Sequence, residues 1–286
     1  MTHAASLRSR LSGGESVLMP GVWDPLSALL AERAGFHTVF VSGFAVAGTL
    51  LGEPDIGIID QANMADVARR VCAAAPDLCV VVDADTGYGD TRDVQITTEL
   101  WEAAGASGMF LEDQVWPKKC GHMDGKQVVP TEEWLTKLKT VMNTRSDIFL
   151  TARTDARAVN GLPDALERGR MARDLGVDAV FVEAPQSLSE LDQIAAALPD
   201  VVLVANMVEK GKTPLLTPSE LADRGFTLIV SPLSGLLSAA KAVGDAYDRL
   251  QSFGTLRDHL GTITAFDEFT DIVGLPKHLA NDAEHR

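Results

Sequence analysis

Short apolar runs recur along the chain, and amphipathic stretches separate them. Most of these runs are rich in β-branched residues or leucine and show little alternation between apolar and polar positions. This pattern is typical of parallel strands that are buried on both faces of a sheet. We therefore predict strands at Val17–Met19, Thr38–Val41, Leu78–Val82, Gly108–Leu111, Ile148–Thr151, Ala179–Val182, Val201–Val204 and Thr227–Val230.

Helix-like segments lie between the apolar runs and carry start and stop signals. The segment Asp24–Ala34 opens with Asp-Pro, an N-cap residue followed by a first-turn proline. Several segments end at glycine, as at Gly35, Gly105, Gly176 and Gly225, which suits the left-handed residue that terminates a helix. Further helices are predicted at Thr131–Asn143, Pro163–Leu175, Ser187–Ala197 and Thr217–Arg224.

The alternation of strands and helices predicts an α/β fold. Eight strand–helix units in one chain of this length indicate a (β/α)8 TIM-type barrel, which forms one domain of ~250 residues. An open, doubly wound sheet is the alternative, but no Gly-x-Gly-x-x-Gly follows the first run. We predict a catalytic barrel over residues 1–250 and a less periodic tail over 251–286. Apolar residues of the tail, such as Phe253 and Phe266, are expected to pack against another surface.

The charge balance narrows the range of partners. The 286 residues include 25 Lys and Arg against 40 Asp and Glu, so the formal net charge is −15. Nucleic acids and anionic membranes bind basic surfaces, so neither is expected as a partner. No apolar run approaches the ~20 residues of a membrane span, and no apolar segment of a signal peptide follows Arg8 and Arg10. With three cysteines, too few for a disulfide framework, we expect a soluble, reduced, cytoplasmic protein of enzyme size.

Polar residues follow each predicted strand from the second to the eighth. In a barrel these positions converge on one mouth, at the C-terminal ends of the strands, where active sites lie. Stability alone would not select ionisable residues at most of them. The strand ends are Ser42-Gly43, Asp83-Ala84-Asp85, Glu112-Asp113-Gln114, Arg153-Thr154-Asp155, Glu183, Asn206 and Ser231-Pro232-Leu233-Ser234.

The carboxylates at this mouth predict a divalent metal site. Asp83, Asp85, Glu112 and Glu183, with Asp55 from the loop after the second strand, would crowd one pocket and need a cation or a proton. Oxygen ligands without His or Cys favour Mg²⁺, with Mn²⁺ as a possible substitute, and Mg²⁺ takes only one or two direct carboxylates. We expect Asp85 to bind the metal directly and Asp83 and Glu112 to act through water. Individually, these carboxylates could instead cap helices or pair with Arg153.

Arg153 has two interpretations that the sequence leaves open. Its guanidinium offers a two-pronged donor for a carboxylate or a phosphate of a substrate. In an acidic mouth it could equally form a structural ion pair.

The polar loop Val115–Val128 is predicted to be a lid over the mouth. Cys120 lies among Lys118, Lys119 and His122, and positive neighbours lower the pKa of a thiol. We therefore expect a reactive Cys120. By contrast, Cys72 and Cys79 lie in apolar surroundings and are expected to be inert. No second pair of ligands completes a zinc site with Cys120 and His122.

Over roughly Leu7 to Leu250 the chain resembles the isocitrate lyase/phosphoenolpyruvate mutase superfamily. The resemblance implies a barrel whose eighth helix is exchanged between subunits, a dimer or tetramer, and a need for Mg²⁺. The region after about Leu236 would then pack against a neighbouring subunit. The matching motifs are Ser42-Gly43, Leu51-Gly52-Glu53-Pro54-Asp55, Asp83-Ala84-Asp85-Thr86-Gly87-Tyr88-Gly89, Glu112-Asp113-Gln114, Lys118-Lys119-Cys120-Gly121-His122, Ala152-Arg153-Thr154-Asp155, Asn206-Met207-Val208-Glu209 and Pro232-Leu233-Ser234.

The lid motif implies a carbon–carbon lyase of the methylisocitrate or dimethylmalate kind, acting on a small carboxylate. In such lyases a lid with Lys-[Lys/Arg]-Cys-Gly-His supplies the cysteine that protonates the enolate product, the role expected of Cys120. A carboxyphosphonoenolpyruvate phosphonomutase is the alternative. It keeps a Cys-Gly-His lid and is similar around Gly211-Lys212-Thr213-Pro214. A non-catalytic barrel is disfavoured by the full set of metal-site residues.

The resemblance also implies roles for residues around the mouth. Lys118, Glu112 and His122 would assist catalysis, and Ser42 and Gly43 would hold the keto-acid part of the substrate. The departing carboxylate would be held by Arg153, Gly121, His122 and Asn206. Further substrate contacts are expected at Phe40, Phe44, Glu183, Thr213, Pro232 and Ser234.

Two positions depart from the superfamily pattern. Phe44 replaces a glycine that is common in the lyases, and Phe40 stands where methylisocitrate lyases often have tyrosine. Both changes remove polarity or room near the substrate. We interpret them as a shifted substrate choice. A neutral substitution, with the backbone amide of residue 44 still in use, is the alternative.

Overall fold

The computed structural model describes residues 1–284, and its eight strands form a closed parallel barrel. Each strand pairs with the next along the chain, and β8 pairs with β1. Every predicted apolar run overlaps one of these strands, so the predicted (β/α)8 fold is confirmed. The runs predicted from Leu78, Ile148 and Val201 each begin one residue before the strand. The strands are β1 (Val17–Val22), β2 (Thr38–Val41), β3 (Cys79–Asp83), β4 (Gly108–Glu112), β5 (Phe149–Thr154), β6 (Ala179–Val182), β7 (Val202–Asn206) and β8 (Phe226–Ser231).

Helices connect the strands on the outside of the barrel and continue beyond β8. Short π and 3-10 turns cover Ala47–Leu51 and Arg257–Thr262. The α-helices are α1 (His3–Ser12), α2 (Pro25–Arg33), α3 (Gly43–Val46), α4 (Gln61–Ala74), α5 (Thr91–Ala104), α6 (Thr131–Thr144), α7 (Ala156–Val159), α8 (Leu162–Leu175), α9 (Leu188–Ala197), α10 (Pro218–Ala222), α11 (Ser234–Phe253), α12 (Phe266–Ile272) and α13 (Leu275–Glu284).

Local sequence signals explain where the helices begin and end. At the start of α2 the Asp24 side chain accepts a hydrogen bond from the Ser27 amide, and Pro25 occupies the first turn. At the start of α10, the Thr217 hydroxyl accepts a hydrogen bond from the Glu220 amide, and the Glu220 carboxylate accepts one from the Thr217 amide. Helix α5 ends at Gly105 with a φ of 91°, in the left-handed region that glycine adopts without strain.

The hydrophobic core has two layers, one inside the barrel and one between the strands and the helices. The inner layer includes Phe110, Phe149 and Phe181 from the three consecutive strands β4, β5 and β6. Leu7 and Leu11 of α1 join this layer, so α1 closes the N-terminal end of the barrel. Helix α1 was not predicted from the sequence. A filled barrel of this kind leaves space for a ligand only at the opposite, C-terminal mouth.

Helix α11 differs from the other long helices, because none of its residues is buried. Its exposed apolar residues include Val243, Tyr247 and Phe253. The predicted boundary between residues 250 and 251 falls inside this helix. The exchange of this helix between subunits stays a prediction, and residues 285–286 of the predicted tail lie outside the described residues. Within residues 1–284, no helix combines the length and apolar character needed to cross a membrane.

Candidate active site

A pocket lies at the C-terminal mouth of the barrel, the end at which (β/α)8 enzymes bind their ligands. Most of the residues expected in the site line it, including Cys120 and His122 of the lid. The lining residues are Phe40, Ser42, Phe44, Asp55, Asp83, Phe110, Cys120, Gly121, His122, Arg153, Phe181, Glu183, Asn206, Val208, Val230, Pro232 and Leu233.

The other expected site residues lie behind this wall or beside it. Asp85, Lys118 and Glu112 are buried. Lys118 forms an ion pair with the lining residue Asp55, Glu112 forms one with Arg153, and Asp85 pairs with Lys118. Gly43 begins α3, and a Cβ at this position would lie 3.1 Å from Asp83 Oδ2. Two of the predicted substrate contacts, Thr213 and Ser234, do not line the pocket. The Ser234 hydroxyl instead contacts Ser231, at 2.6 Å, and Glu209.

The lid lysine Lys118 neutralises part of the predicted metal site. Its Nζ lies 2.6 Å from Asp55 Oδ1 and 2.8 Å from Asp85 Oδ1, and all three side chains are almost fully buried. Burial lowers the pKa of the Lys118 ammonium, but the Asp85 and Asp55 carboxylates outweigh it and raise that pKa overall. Burial also raises the pKa of Asp85, to about 7, against the opposing charge of Lys118.

The expected carboxylates form two groups and not one. Asp55, Asp83 and Asp85 lie near Lys118, whereas Glu112 and Glu183 face Arg153. Among residues 1–284, no three acidic, His or Cys side chains are close enough together to hold a metal by themselves. The donor set nevertheless fits a cation that binds one carboxylate and several waters. Asp85 Oδ2 and Glu112 Oε1 are buried and lack a hydrogen-bond partner in the described structure.

Arg153 lines the pocket and also forms ion pairs with three carboxylates. Its Nε lies 2.9 Å from Asp155 Oδ2, and its terminal nitrogens lie 3.3 Å from both Glu112 and Glu183. The guanidinium also stacks on Phe181, 5.5 Å from the ring centroid. Ion pairs therefore account for part of the environment of Arg153, and the same side chain, although only 10% exposed, also lines the pocket.

The expected lowering of the Cys120 pKa is wrong. Burial raises the pKa of this thiol to about 11, and the nearby carboxylates of Asp55 and Glu183 add to the effect. The positive charge of Lys118, which the sequence places two residues away, is instead directed at Asp55 and Asp85. Cys120 is therefore a protonated thiol at neutral pH. The pKa values of Cys72 and Cys79 are also raised to about 11 by burial, as expected for inert thiols.

Gly121 and His122 bring the lid against Glu183. A Cβ on Gly121 would lie 2.4 Å from Glu183 Oε2, so only glycine allows this approach. His122 Nδ1 accepts a hydrogen bond from the Lys212 amide at 2.9 Å, which places the proton of a neutral ring on Nε2. That atom lies 3.5 Å from Glu183 Oε1. Burial lowers the pKa of His122, which keeps the ring neutral.

One side of the pocket is apolar, and most of its residues were not predicted from the sequence. Phe110 and Phe181 lie beside the predicted Phe40, with ring centroids 4.9 Å apart for Phe40 and Phe110. Phe40, Phe110 and Phe181 each precede a predicted polar residue by two positions, so they share its side of the strand. That spacing was the signal available in the sequence. The further missed lining residues are Val208, Val230 and Leu233.

Comparisons with known proteins agree with this geometry. The family model described as "Phosphoenolpyruvate phosphomutase" matches residues 7–251. The chain is 47% identical to the petal death protein of Dianthus caryophyllus over 91% of this chain and 82% of that protein. It is 45% identical to the chloroplastic carboxyvinyl-carboxyphosphonate phosphorylmutase of Arabidopsis thaliana, over 94% and 80% of the two chains. Identity to the 2,3-dimethylmalate lyase of Eubacterium barkeri is 38%, over 100% and 98%.

Solved structures show the same fold over nearly the whole chain. A 2,3-dimethylmalate lyase has a TM-score of 0.94 at 33% identity and covers 100% of this chain and 96% of its own. An oxaloacetate acetylhydrolase in complex with 3,3-difluorooxalacetate also has a TM-score of 0.94 at 33% identity, covering 99% and 97%. A phosphonopyruvate hydrolase in complex with oxalate and Mg²⁺ has a TM-score of 0.89 at 26% identity, covering 99% of each chain.

Proposed function

Because the chain belongs to the phosphoenolpyruvate phosphomutase family, and is therefore an enzyme of the isocitrate lyase superfamily, we propose that it is a carbon–carbon lyase. Its substrate is a 2-hydroxy di- or tricarboxylate, and the products are an α-keto acid and a carboxylic acid. The observation that carries this proposal is the position of Cys120, which the lid holds on the wall of a pocket that also contains Arg153 and His122.

Cys120 supplies the proton that completes the cleavage. When the substrate hydroxyl gives its proton to a carboxylate on the pocket wall, such as Asp55 or Asp83, the C2–O bond becomes a carbonyl and the C2–C3 bond breaks. The electron pair of that bond leaves with C3 as the enolate of a carboxylic acid. The Cys120 S–H then donates its proton to that carbon. A thiol whose pKa is about 11 is fully protonated at neutral pH, which suits a donor and not a nucleophile. The closed lid excludes water from the enolate.

Asp85 is the residue proposed to hold Mg²⁺ or Mn²⁺, with Asp83 and Glu112 acting through water. The unpartnered Asp85 Oδ2 and Glu112 Oε1 support this assignment. When bound, the metal would act as a Lewis acid toward the 2-hydroxyl and carboxylate oxygens of the substrate. Lys118 pairs with Asp55 and Asp85, which limits the negative charge that a dianionic substrate meets.

The remaining residues orient the substrate. Ser42 and Gly43 hold the keto-acid part, and Arg153 with His122 and Asn206 holds the departing carboxylate. Glu183 keeps Arg153 and the lid in place through its contacts with Arg153, Gly121 and Asn206.

The pocket wall favours a substrate with an apolar group on C3. Of the described residues that line the pocket, only Arg153 and His122 can carry a positive charge. Arg153 is already assigned to the departing carboxylate, and His122 is neutral. A third substrate carboxylate would therefore lack a cation, whereas a methyl group would contact Phe40, Phe44 or Phe110. We expect 2,3-dimethylmalate to be cleaved faster than 2-methylisocitrate.

Release of an α-keto acid, followed as its phenylhydrazone, tests the proposed reaction. The panel contains 2-methylisocitrate, isocitrate, 2,3-dimethylmalate, citramalate, oxaloacetate and phosphonopyruvate, each with and without EDTA. Release from a 2-hydroxy acid that EDTA abolishes would support the metal-dependent lyase. Release from none of the 2-hydroxy acids would contradict it.

A phosphonomutase is the second candidate, because the Arabidopsis relative at 45% identity is a carboxyvinyl-carboxyphosphonate phosphorylmutase. This chemistry would use the same metal residues and Arg153 but would not need the Cys120 proton. Phosphorus NMR with a phosphonate substrate separates the two candidates. A changed phosphorus spectrum that persists in Cys120→Ser would favour the mutase.

The exposed apolar face of α11 supports a homodimer or homotetramer in which this helix packs against a second subunit. None of its residues is buried within the described chain. The large apolar side chains of Tyr247 and Phe253 are 67% and 66% exposed. Analytical ultracentrifugation should find an assembly larger than the 30.5 kDa monomer. The double variant Tyr247→Asp/Phe253→Asp should weaken it. A monomeric wild-type protein would contradict this part of the proposal.

A further inference from the structure

A second lysine of the lid, Lys126, joins the lid to the barrel through a buried ion pair. Its side chain is 1% exposed, and its Nζ lies 2.7 Å from Asp155 Oδ1. The same ammonium donates a hydrogen bond to the Gly121 carbonyl, next to Cys120. Asp155 lies just beyond β5 and is fully buried. Lys126 therefore contacts both the Cys-Gly-His segment of the lid and the strand that carries Arg153.

Asp155 is shared between this lid lysine and the pocket arginine. Its Oδ2 accepts a hydrogen bond from Arg153 Nε at 2.9 Å, while its Oδ1 faces Lys126. Burial raises the pKa of Asp155, but the charges of Arg153 and Lys126 outweigh burial and lower it overall. If the lid opened, Asp155 would lose one of its two cations and would hold Arg153 alone. Lid position and the charge that Arg153 presents to the pocket are therefore linked through one carboxylate.

We propose that Lys126 is a positioning residue that holds the lid closed through Asp155. The Lys126–Asp155 pair sets the Cys120 thiol against the pocket and leaves the Arg153 charge partly available to a substrate carboxylate. This inference rests on the proposed function only for the role of Cys120, and its first test needs no turnover.

A second lid-to-barrel pair provides a matched comparison. Lys212 Nζ lies 2.6 Å from Asp124 Oδ1, but the Asp124 side chain is 95% exposed. Solvent screens such a pair, and exposed pairs of this kind contribute little to stability. Breaking a buried pair by removing one partner is far more costly, because a charge is left buried without its counterpart. The two lysines thus make pairs of similar length that differ in burial.

Alkylation of Cys120 by iodoacetamide, followed by mass spectrometry of each cysteine peptide, measures lid opening directly. Lys126→Met should accelerate Cys120 alkylation at least about tenfold, because local opening governs access to a protected group. Lys212→Met, the matched control, should stay within about twofold of the wild type, since its pair is exposed. Cys72 and Cys79, outside the lid, serve as internal references and should react at the wild-type rate.

Three results would overturn the proposal. The first is an unchanged Cys120 rate in folded Lys126→Met, and the second is an equal acceleration in Lys212→Met. The third is a parallel acceleration at Cys72 and Cys79, which would indicate general loosening. If Lys126→Met does not fold, Lys126→Gln, which keeps a hydrogen-bond donor without the charge, is subjected to the same measurement and the same criteria.

Steady-state kinetics on the cleaved substrate provide a second measurement. Lys126→Met should lower kcat about tenfold or more, because lid closure positions the reacting groups. Asp155→Asn should give an effect that is not additive with Lys126→Met, since both variants break one pair. Additive losses would show that the two residues act separately and would contradict the proposed coupling.

Discussion

Both ends of the barrel contain charged groups that are withdrawn from solvent, partly at the N-terminal end and fully at the C-terminal mouth, and these charges are satisfied differently. At the N-terminal end, Asp178 accepts hydrogen bonds from Arg8, Arg145 and the Leu150 amide. Burial raises the pKa of Asp178, but these partners outweigh burial and lower it overall. At the C-terminal mouth, oxygens of Asp85 and Glu112 lack hydrogen-bond partners in the part of the chain that the structure describes, and burial raises the pKa of both.

This difference separates a charge network that stabilises the fold from one that is prepared for a ligand. A buried polar atom without a partner costs about 1–3 kcal/mol, and more when it is charged. The mouth carries this cost at several oxygens, whereas Asp178 at the other end has its partners within the chain. The comparison predicts that substitutions at the mouth remove activity and that substitutions at the N-terminal end remove stability.

The largest expected effect is at Asp85. Asp85→Asn should lower α-keto acid release on the order of a thousandfold, since a bound metal supplies several kcal/mol of transition-state stabilisation. Its stability should change little, because Lys118 retains its pair with Asp55. Release rates and urea unfolding of the same preparation check both parts. If Asp85→Asn kept most of its activity, the assignment of Asp85 as a metal ligand would be contradicted.

The opposite result is expected at Asp178. Asp178→Asn should lower the free energy of unfolding by about 1.5–3 kcal/mol, because the partly buried Arg8 and Arg145 lose the carboxylate that pairs with them. Well below the melting temperature, its kcat should equal that of the wild type. Urea unfolding and steady-state kinetics measure the two quantities. A loss of kcat without a loss of stability would invalidate the comparison between the two ends.

The stabilisation that Cys120 provides at the mouth should be lost at high pH, and the stabilisation that Asp178 provides at the N-terminal end should be lost at low pH. Folding raises the Cys120 pKa from 9.0 to about 11, so this stabilisation is complete below pH 9 and is lost as the pH rises toward 11. Folding lowers the Asp178 pKa, so its contribution is present above the unfolded value of 3.8 and is lost in acid.

Unfolding curves of wild type, Cys120→Ser and Asp178→Asn across pH test these signs. The wild-type advantage over Cys120→Ser should shrink by roughly 1–3 kcal/mol on the alkaline side. The advantage over Asp178→Asn should shrink only below pH 3.8. Stability differences that do not vary with pH would contradict the assigned pKa directions.

The smallest expected effect is the stabilisation that Mg²⁺ itself provides. A cation that binds only the folded state at about ten times its dissociation constant should stabilise it by roughly 1–2 kcal/mol. The melting temperature of the wild type and of Asp178→Asn should therefore rise with Mg²⁺, whereas that of Asp85→Asn should not. A rise of equal size in all three proteins would place the cation elsewhere.

The barrel could be predicted from the sequence because burial on both faces leaves a plain apolar pattern. The run Thr38–Val41 coincides with β2, and Ala179–Val182 coincides with β6. The location of the site at the mouth could be predicted from the polar residues that follow such strands, because the C-terminal ends of all strands lie together in a parallel barrel. Helix α1 was missed, since only Ala4, Leu7 and Leu11 of its ten residues are buried.

Features that depend on how distant segments meet could not be predicted. Lys126 and Asp155 are 29 residues apart, and only the closed lid brings them together. The pKa of Cys120 was predicted with the wrong sign, because neighbours in sequence do not show which carboxylates a lysine will pair with. Burial, which raises that pKa, is likewise a property of the closed lid and not of the local sequence.

Comparing Cys120→Ser with the wild type tests the central claim most directly. The measurement is α-keto acid release from the best 2-hydroxy acid of the panel, together with the Mg²⁺-dependent rise in melting temperature. The wild type should release the keto acid, whereas Cys120→Ser should lose turnover and keep the Mg²⁺-dependent stabilisation. Near-wild-type release by Cys120→Ser would contradict the assignment of Cys120 as the proton donor and with it the proposed lyase.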